Sequence, residues 1–149
     1  MTKLLKKNIE QSSSVTDEEE KELIPGLDLA KLAIDAALNV KALEPELLHV
    51  ENICSYTEYL LVLSGRSERQ VDAIAESIKD SLRLKGRKPL GKEGMGHWSL
   101  LDYGDLVIHV FHHPLREHYD LESLWSEAEH IELDIPADAR IGPDDRYSY

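Results

Sequence analysis

Two carboxylates, Asp102 and Asp105, bracket Tyr103-Gly104, the short glycine-containing spacing of a tight hairpin. If the two aspartates face each other across the ribbon, Leu100 pairs with Val107 and Trp98 with His109. Opposite residues share a face, so Trp98, Leu100, Asp102, Asp105, Val107, His109 and Phe111 line one side. Leu101, Leu106, Ile108 and Val110 line the other, a uniformly apolar set suited to a core. The first side mixes aromatic, aliphatic, imidazole and carboxylate groups, the composition of a docking surface. Opposed like charges destabilise a ribbon, which points to a basic or metallic partner for the aspartate pair. The plainer alternative is that Asp102 opens the turn by accepting from the backbone ahead. Phe111 reads as core, and the turn-proximal group of Leu100, Asp102, Tyr103 and Asp105 as docking. Trp98 and His109 fit either role.

Two enzymatic readings can be weighed on the same terms. Gly65-Arg66-Ser67 lies between an apolar run and an amphipathic one, where a helix N-terminus could hold a phosphate with Arg66 and Arg69 adding charge. Nucleotide transfer there would also need carboxylates for a divalent cation, typically an Asp-x-Asp pair. Residues 68–79 supply only Glu68, Asp72 and Glu76, spaced along an exposed helix side, whereas Ser67 and Gln70 spell a capping box. His97, His109, His112, His113 and His118 crowd one region. Alternation sends His109 and His112 to opposite faces, and the Leu100–Val107 rung holds His109 out of metal reach of the aspartates. His112 and His113 read as solvated or capping groups at the strand end. No Ser-His-Asp or Cys-His arrangement emerges, and Glu117, Asp120 and Glu122 read as a solvated helix face. The expectation is a non-catalytic protein with no metal and no cofactor. A nucleotidyltransferase-type nucleotide-binding enzyme is the alternative.

A chain of 149 residues fits one domain with a single sizeable core. Its formal charge of −12 repels phosphate backbones, so direct nucleic-acid binding is not expected and a basic protein partner is. One cysteine, Cys54, excludes an intrachain disulfide and reads as a buried structural thiol. The opening residues lack an apolar run of signal-peptide length, and no run anywhere has transmembrane length. A cytoplasmic protein without a membrane role follows as the expectation.

Residues 1–24 are polar and then acidic, and read as a flexible arm. Pro25-Gly26 precedes a helix in which Leu29, Leu32, Ala33, Ala36, Ala37 and Val40 recur at helical spacing. Residues 47–50 form a short strand candidate, and 59–63 a continuously apolar one that belongs in the middle of a sheet. Ser67 opens a helix burying Val71, Ile74, Ala75, Ile78 and Leu82, with Gly86 suited to its stop. Residues 89–96 are a link or short edge strand before the hairpin. Pro114 marks entry to the last helix, with Leu115, Leu121, Leu124 and Trp125 as apolar anchors. Ile131, Leu133 and Ile135 alternate with acidic residues as a short extra strand or extended segment, within a polar end at 131–149. This order makes a single α/β domain over 25–130, a mixed sheet flanked by helices.

The downstream half also carries a resemblance. Trp98, Leu101, Asp102-Tyr103-Gly104-Asp105, His109-Val110-Phe111, Arg116, Tyr119-Asp120-Leu121-Glu122 and Leu124-Trp125 resemble the ribosomal silencing factor (RsfS, Iojap) family. Thr57-Glu58-Tyr59 and the run from Ser64 to Val71 are similar to that family's strand-to-helix junction, with Glu58 and Arg66 departing from its usual Asp and Thr. The resemblance spans roughly residues 27–126. It implies a nucleotidyltransferase-like fold without its chemistry. It also implies docking on the large ribosomal subunit through a conserved, basic ribosomal protein (number fourteen) at the subunit-joining face, blocking the small subunit and damping translation. Trp98, Leu100, Asp102, Tyr103 and Asp105 would meet that protein, with His109 buttressing and Arg116 and Tyr119 holding the last helix. A homodimer formed through the same apolar patch is a further expectation.

Overall fold

The computed structural model describes residues 25–119 and 126–141, of which 117–119 by backbone alone. Helix α1 (Gly26–Asn39) starts where Leu29 N–H donates to the Pro25 carbonyl, a donor-free residue suited to a helix entry. It is followed by β1 (Leu43–His49) and β2 (Tyr59–Gly65), then helix α2 (Glu68–Arg83). Strands β3 (Gly91–Glu93), β4 (Trp98–Asp102) and β5 (Leu106–His112) lead into helix α3 (His113–Tyr119). Strand β6 (Glu129–Ile131) and a 3-10 turn at Ala137–Ala139 close the described chain. The six strands form one mixed sheet in the order β3-β4-β5-β2-β1-β6, with β2 and β5 parallel and the other pairs antiparallel.

Strand β2 is buried at every position, as its unbroken apolar run requires of a strand covered on both faces. Leu61 and Leu63 point to the α1–α2 side with Leu101, Leu106, Ile108 and Val110. Leu60 and Val62 point the other way, with Leu48, Val107 and Phe111. Helix α2 buries Val71, Ile74, Ala75, Ile78 and Leu82, one stripe at helical spacing. The Ser67 hydroxyl accepts from Gln70 N–H at 3.0 Å, while the Gln70 side chain takes Arg66 N–H, one residue earlier than the simplest capping box. Past the helix, Gly86 adopts φ +80° and Arg87 N–H returns to the Leu82 carbonyl, the left-handed stop that glycine permits.

Three expectations need correction. Strand β1 starts at Leu43 rather than at 47, because Glu44 at φ +48° makes a bulge between Leu43 and Glu46 that hides the alternation. In the hairpin, Asp102 pairs with Val107, Leu100 with His109 and Trp98 with Phe111, two positions away from a register that opposes the aspartates. Tyr103 N–H donates to the Leu106 carbonyl at 2.8 Å, so Gly104 (φ +90°) and Asp105 make the turn. Asp102 therefore opens the turn, its Oδ1 accepting from Gly104 N–H at 2.8 Å. Cys54 is half-buried rather than buried, packed beside the second cluster.

The segment after β6 lies along the fold. Ile131 and Leu133 pack against the helix-side core, and Ala139 is buried. The Glu44 carboxylate accepts from Arg140 Nη1 at 3.1 Å and from Ile141 N–H at 2.8 Å. The expected anchors Leu121, Leu124 and Trp125, and the arm at 1–24, lie outside the described residues.

Candidate functional site

The register shift is even, so it preserves which hairpin residues share a face. Trp98, Leu100, Asp102, Val107, His109 and Phe111 lie together on the side away from α1 and α2. Phe111 is fully buried, and Trp98 stacks on it at 5.1 Å between ring centroids. Trp98 Nε1–H donates to His109 Nδ1 at 3.1 Å, and the His109 ring lies parallel to Phe111 at 6.0 Å. A nitrogen that accepts this bond carries no proton, so His109 is the neutral Nε2–H tautomer. Burial pushes its pKa down to about 4. Trp98, Leu100 and His109 are half-buried, and Glu93, Gly94, Trp98 and Leu100 line a groove of about 170 Å³. Beside it stand the carboxylates of Asp102 and Glu93, with Tyr56 exposed near Asp102.

The neutrality of His109 has a measurable consequence. An unfolded histidine titrates near its ordinary value of 6.5, whereas the folded one stays unprotonated to about 4. The unfolded state therefore binds the extra proton first, and stability present above pH 6.5 is lost as pH falls toward 4. Discounted for partial exposure, the loss is on the order of 2 kcal/mol. Histidine ring NMR across a pH series checks it: the His109 signals should stay unshifted from pH 7 to 5.

Other expected site residues sit elsewhere. Tyr103 is a correction: it is 3 % exposed and belongs to the helix-side core, so it cannot meet a partner. Its hydroxyl is buried without a hydrogen-bond partner among the described residues, and burial pushes its pKa up to about 12. Asp105 is not opposed to Asp102. It accepts from Arg87 Nη2 at 2.9 Å, and its carbonyl accepts from Tyr59 N–H. Asp105 thus ties the turn to β2 and to the chain beyond α2. Tyr119 closes α3, and its side chain lies outside the described residues.

Arg116 does join α3 to the sheet, at two points that sequence spacing does not reveal. Its Nη1 donates to the Ser64 hydroxyl at 2.9 Å and to the Glu44 carbonyl at 2.6 Å. His113 is buried rather than solvated, its Nδ1 lying 3.0 Å from the same Ser64 Oγ. Three residues apart, His113 and Arg116 project from one side of the helix onto one hydroxyl.

The residues weighed for enzyme chemistry are engaged otherwise. Asp72 Oδ1 accepts from Gly96 N–H at 2.9 Å, Glu68 meets His97 at 3.3 Å, and Glu76 meets Lys79 at 3.3 Å. These carboxylates face solvent or neighbouring loops along α2. They do not converge on Arg66. The histidines read as a cluster disperse: His97 to Glu68, His109 to Trp98, His112 to the Arg66 carbonyl and His113 to Ser64. The side chain of His118 lies outside the described residues.

One group escaped the sequence reading. His49, Glu51 and Glu58 bring ligand-type atoms within 4.8 Å of one another. His49 Nε2 meets Glu51 at 3.2 Å and Nδ1 meets Glu129 at 3.3 Å, with the ring stacked on Tyr59 at 4.9 Å. The Glu129 hydrogen bond, and then Glu51, raise the His49 pKa. Carboxylates at both ring nitrogens make this a place that holds a proton.

Comparison with known proteins agrees with the hairpin motif. The family model described as ribosomal silencing factor during starvation matches residues 24–147. The ribosomal silencing factor of Halalkalibacterium halodurans is 37 % identical over 109 residues, covering 72 % of this chain and 93 % of that protein. The Bacillus subtilis factor is 38 % identical over the same length, and the chloroplastic Iojap protein of Arabidopsis thaliana 32 % over 127 residues, 85 % of this chain and 52 % of that one. A crystal structure from Chromobacterium violaceum superposes with a TM-score of 0.68 at 33 % identity, over 76 % of this chain and 96 % of that one. No helix among the described residues is long and apolar enough to cross a membrane. On motif, fold and match together, the chain belongs to the ribosomal silencing factor (RsfS/Iojap) family.

Proposed function

We propose that the protein docks on the large ribosomal subunit through the Trp98 face of β4 and β5 and keeps the small subunit away by occupancy, without catalysis. The observation that carries this reading is the half-buried face of Trp98 and His109, pre-stacked on buried Phe111 and bordered by Asp102 and Glu93, in a member of this family. Aromatic area held in one rotamer binds with little entropy to lose, and a carboxylate rim selects a basic protein. The partner proposed is a basic ribosomal protein on the subunit-joining face. A second copy of the chain would use the same face and compete for it.

Co-sedimentation of the full chain with purified large subunits, then with small subunits added, tests the reading. Stoichiometric binding that lowers the yield of joined ribosomes is the expected result. No binding to large subunits at low salt would overturn it.

A further inference from the structure

We propose that residues 83–92 form a second contact surface, which takes the phosphate backbone of ribosomal RNA lying beside the protein partner. The choice of RNA rests on the ribosome-docking reading above; the surface itself rests on charge and placement. The chain carries −12, yet these positions hold five of its 17 lysines and arginines and none of its 29 carboxylates. The rest of the chain therefore carries −17. A local reversal of this size is unlike the mixed-sign surface of an ordinary solvated face.

The fold displays the segment openly. Helix α2 ends at Arg83, Gly86 turns the chain, and the run continues into the outer strand β3. Arg87 is committed to Asp105 and to the Tyr103 carbonyl, and exposed Arg83 pairs only with its neighbour Asp80, a weak surface pair. Lys85, Lys88 and Lys92 are exposed and make no ion pair among the described residues. Between them Leu84 and Leu90 are 84 % and 77 % exposed. Lys92 pairs with Leu101 and so faces the helix side of the sheet, whereas its neighbour Glu93 pairs with Leu100 and faces the Trp98 side. One edge strand thus separates the basic surface from the proposed docking face. A partner that wraps this edge meets both.

The two surfaces divide by sign. Glu93 and Asp102 suit a basic protein; three unpaired lysines with no carboxylate among them suit phosphates, whose bound counterions they displace. At long range the net charge repels RNA, but screening beyond about 8 Å leaves the nearest charges to decide at contact. The surface therefore acts once the Trp98 face has docked, and free RNA is a poor ligand for it.

The test is co-sedimentation of the full chain with large subunits over a monovalent-salt series, comparing wild type with K85Q/K88Q/K92Q. All three positions are exposed, and circular dichroism confirms the fold. Loss of three phosphate contacts should lower low-salt affinity about tenfold and flatten the log–log salt slope by about 2. An unchanged affinity and slope would overturn the proposal while leaving the docking reading intact; failure of the wild type to sediment would sink both. Attaching a benzophenone at Leu84→Cys, in a Cys54→Ser background, identifies the contact. Crosslinks to ribosomal RNA are expected. Crosslinks confined to protein would assign the surface to an acidic protein and overturn the choice of RNA.

Discussion

Trp98→Ala should weaken binding to large subunits by about 30-fold or more, the roughly 2 kcal/mol that marks a buried aromatic anchor at an interface. The indole lies on Phe111 and donates to His109, so its rotamer is fixed before any partner arrives. Truncation removes contact area and that pre-organisation together. It also leaves His109 Nδ1 without its donor, so some stability goes too, and thermal unfolding must be measured beside binding. Trp98→Phe separates the two effects. It keeps the stacked ring and the burial that lowers the His109 pKa while removing only the donated hydrogen bond, and should bind within a few-fold of wild type. If Trp98→Ala, still folded, sediments with the large subunit as wild type does, the docking face lies elsewhere.

Arg116→Leu should cost about 3 kcal/mol of folding stability, the range for removing a buried charge that serves several acceptors. Arg116 is 7 % exposed, and its guanidinium bridges Ser64 in β2 to the Glu44 carbonyl in the β1 bulge. Without it the Glu44 carbonyl loses this donor, Ser64 keeps only His113, and α3 loses a tie to two strands at once. Lysine is a poor replacement, since its compact ammonium is more strongly hydrated than a guanidinium and costs more to bury. Chemical denaturation of wild type, Arg116→Leu and Arg116→Lys checks this. Midpoints should fall for both variants, more for leucine, and equal midpoints would show that the bridge contributes nothing. Because Glu44 also holds Arg140 and Ile141, the leucine variant should loosen the segment after β6 first, visible as faster amide exchange at Ile141.

Sequence pattern alone disclosed those features that short-range physics decides. The α2 stripe, its Ser67 cap and its Gly86 stop are local, and each stands where the pattern puts it. Parity along the hairpin is equally local, so the face shared by Trp98, Leu100 and His109 emerged even though the register moved by two. Register itself depends on which residues turn the chain, and Gly104 at φ +90° drew Asp105 into the turn in place of Tyr103. That exchange reassigns both residues: Tyr103 joins the parity of Leu101 and goes inside, and Asp105 leaves the ladder for Arg87. The Arg87–Asp105 and Arg116–Ser64 contacts span 18 and 52 positions, beyond any local pattern. His113 looked solvated because polar residues usually are, and only the sheet placed Ser64 beneath it. The Glu44 bulge escaped for the related reason that an irregularity erases the alternation that would announce it.

The sheet is finished at both ends by strands of three residues, β3 and β6, while the interior pair β2 and β5 runs to seven. Each border offers only a few backbone groups to an incoming chain, and it offers them among charged side chains, Lys92 and Glu93 on one margin, Glu129 and His130 on the other. Lateral growth into fibrils needs a longer, flatter and more apolar template than either margin supplies. The face proposed for docking can therefore stay open while the borders of the sheet discourage open-ended stacking.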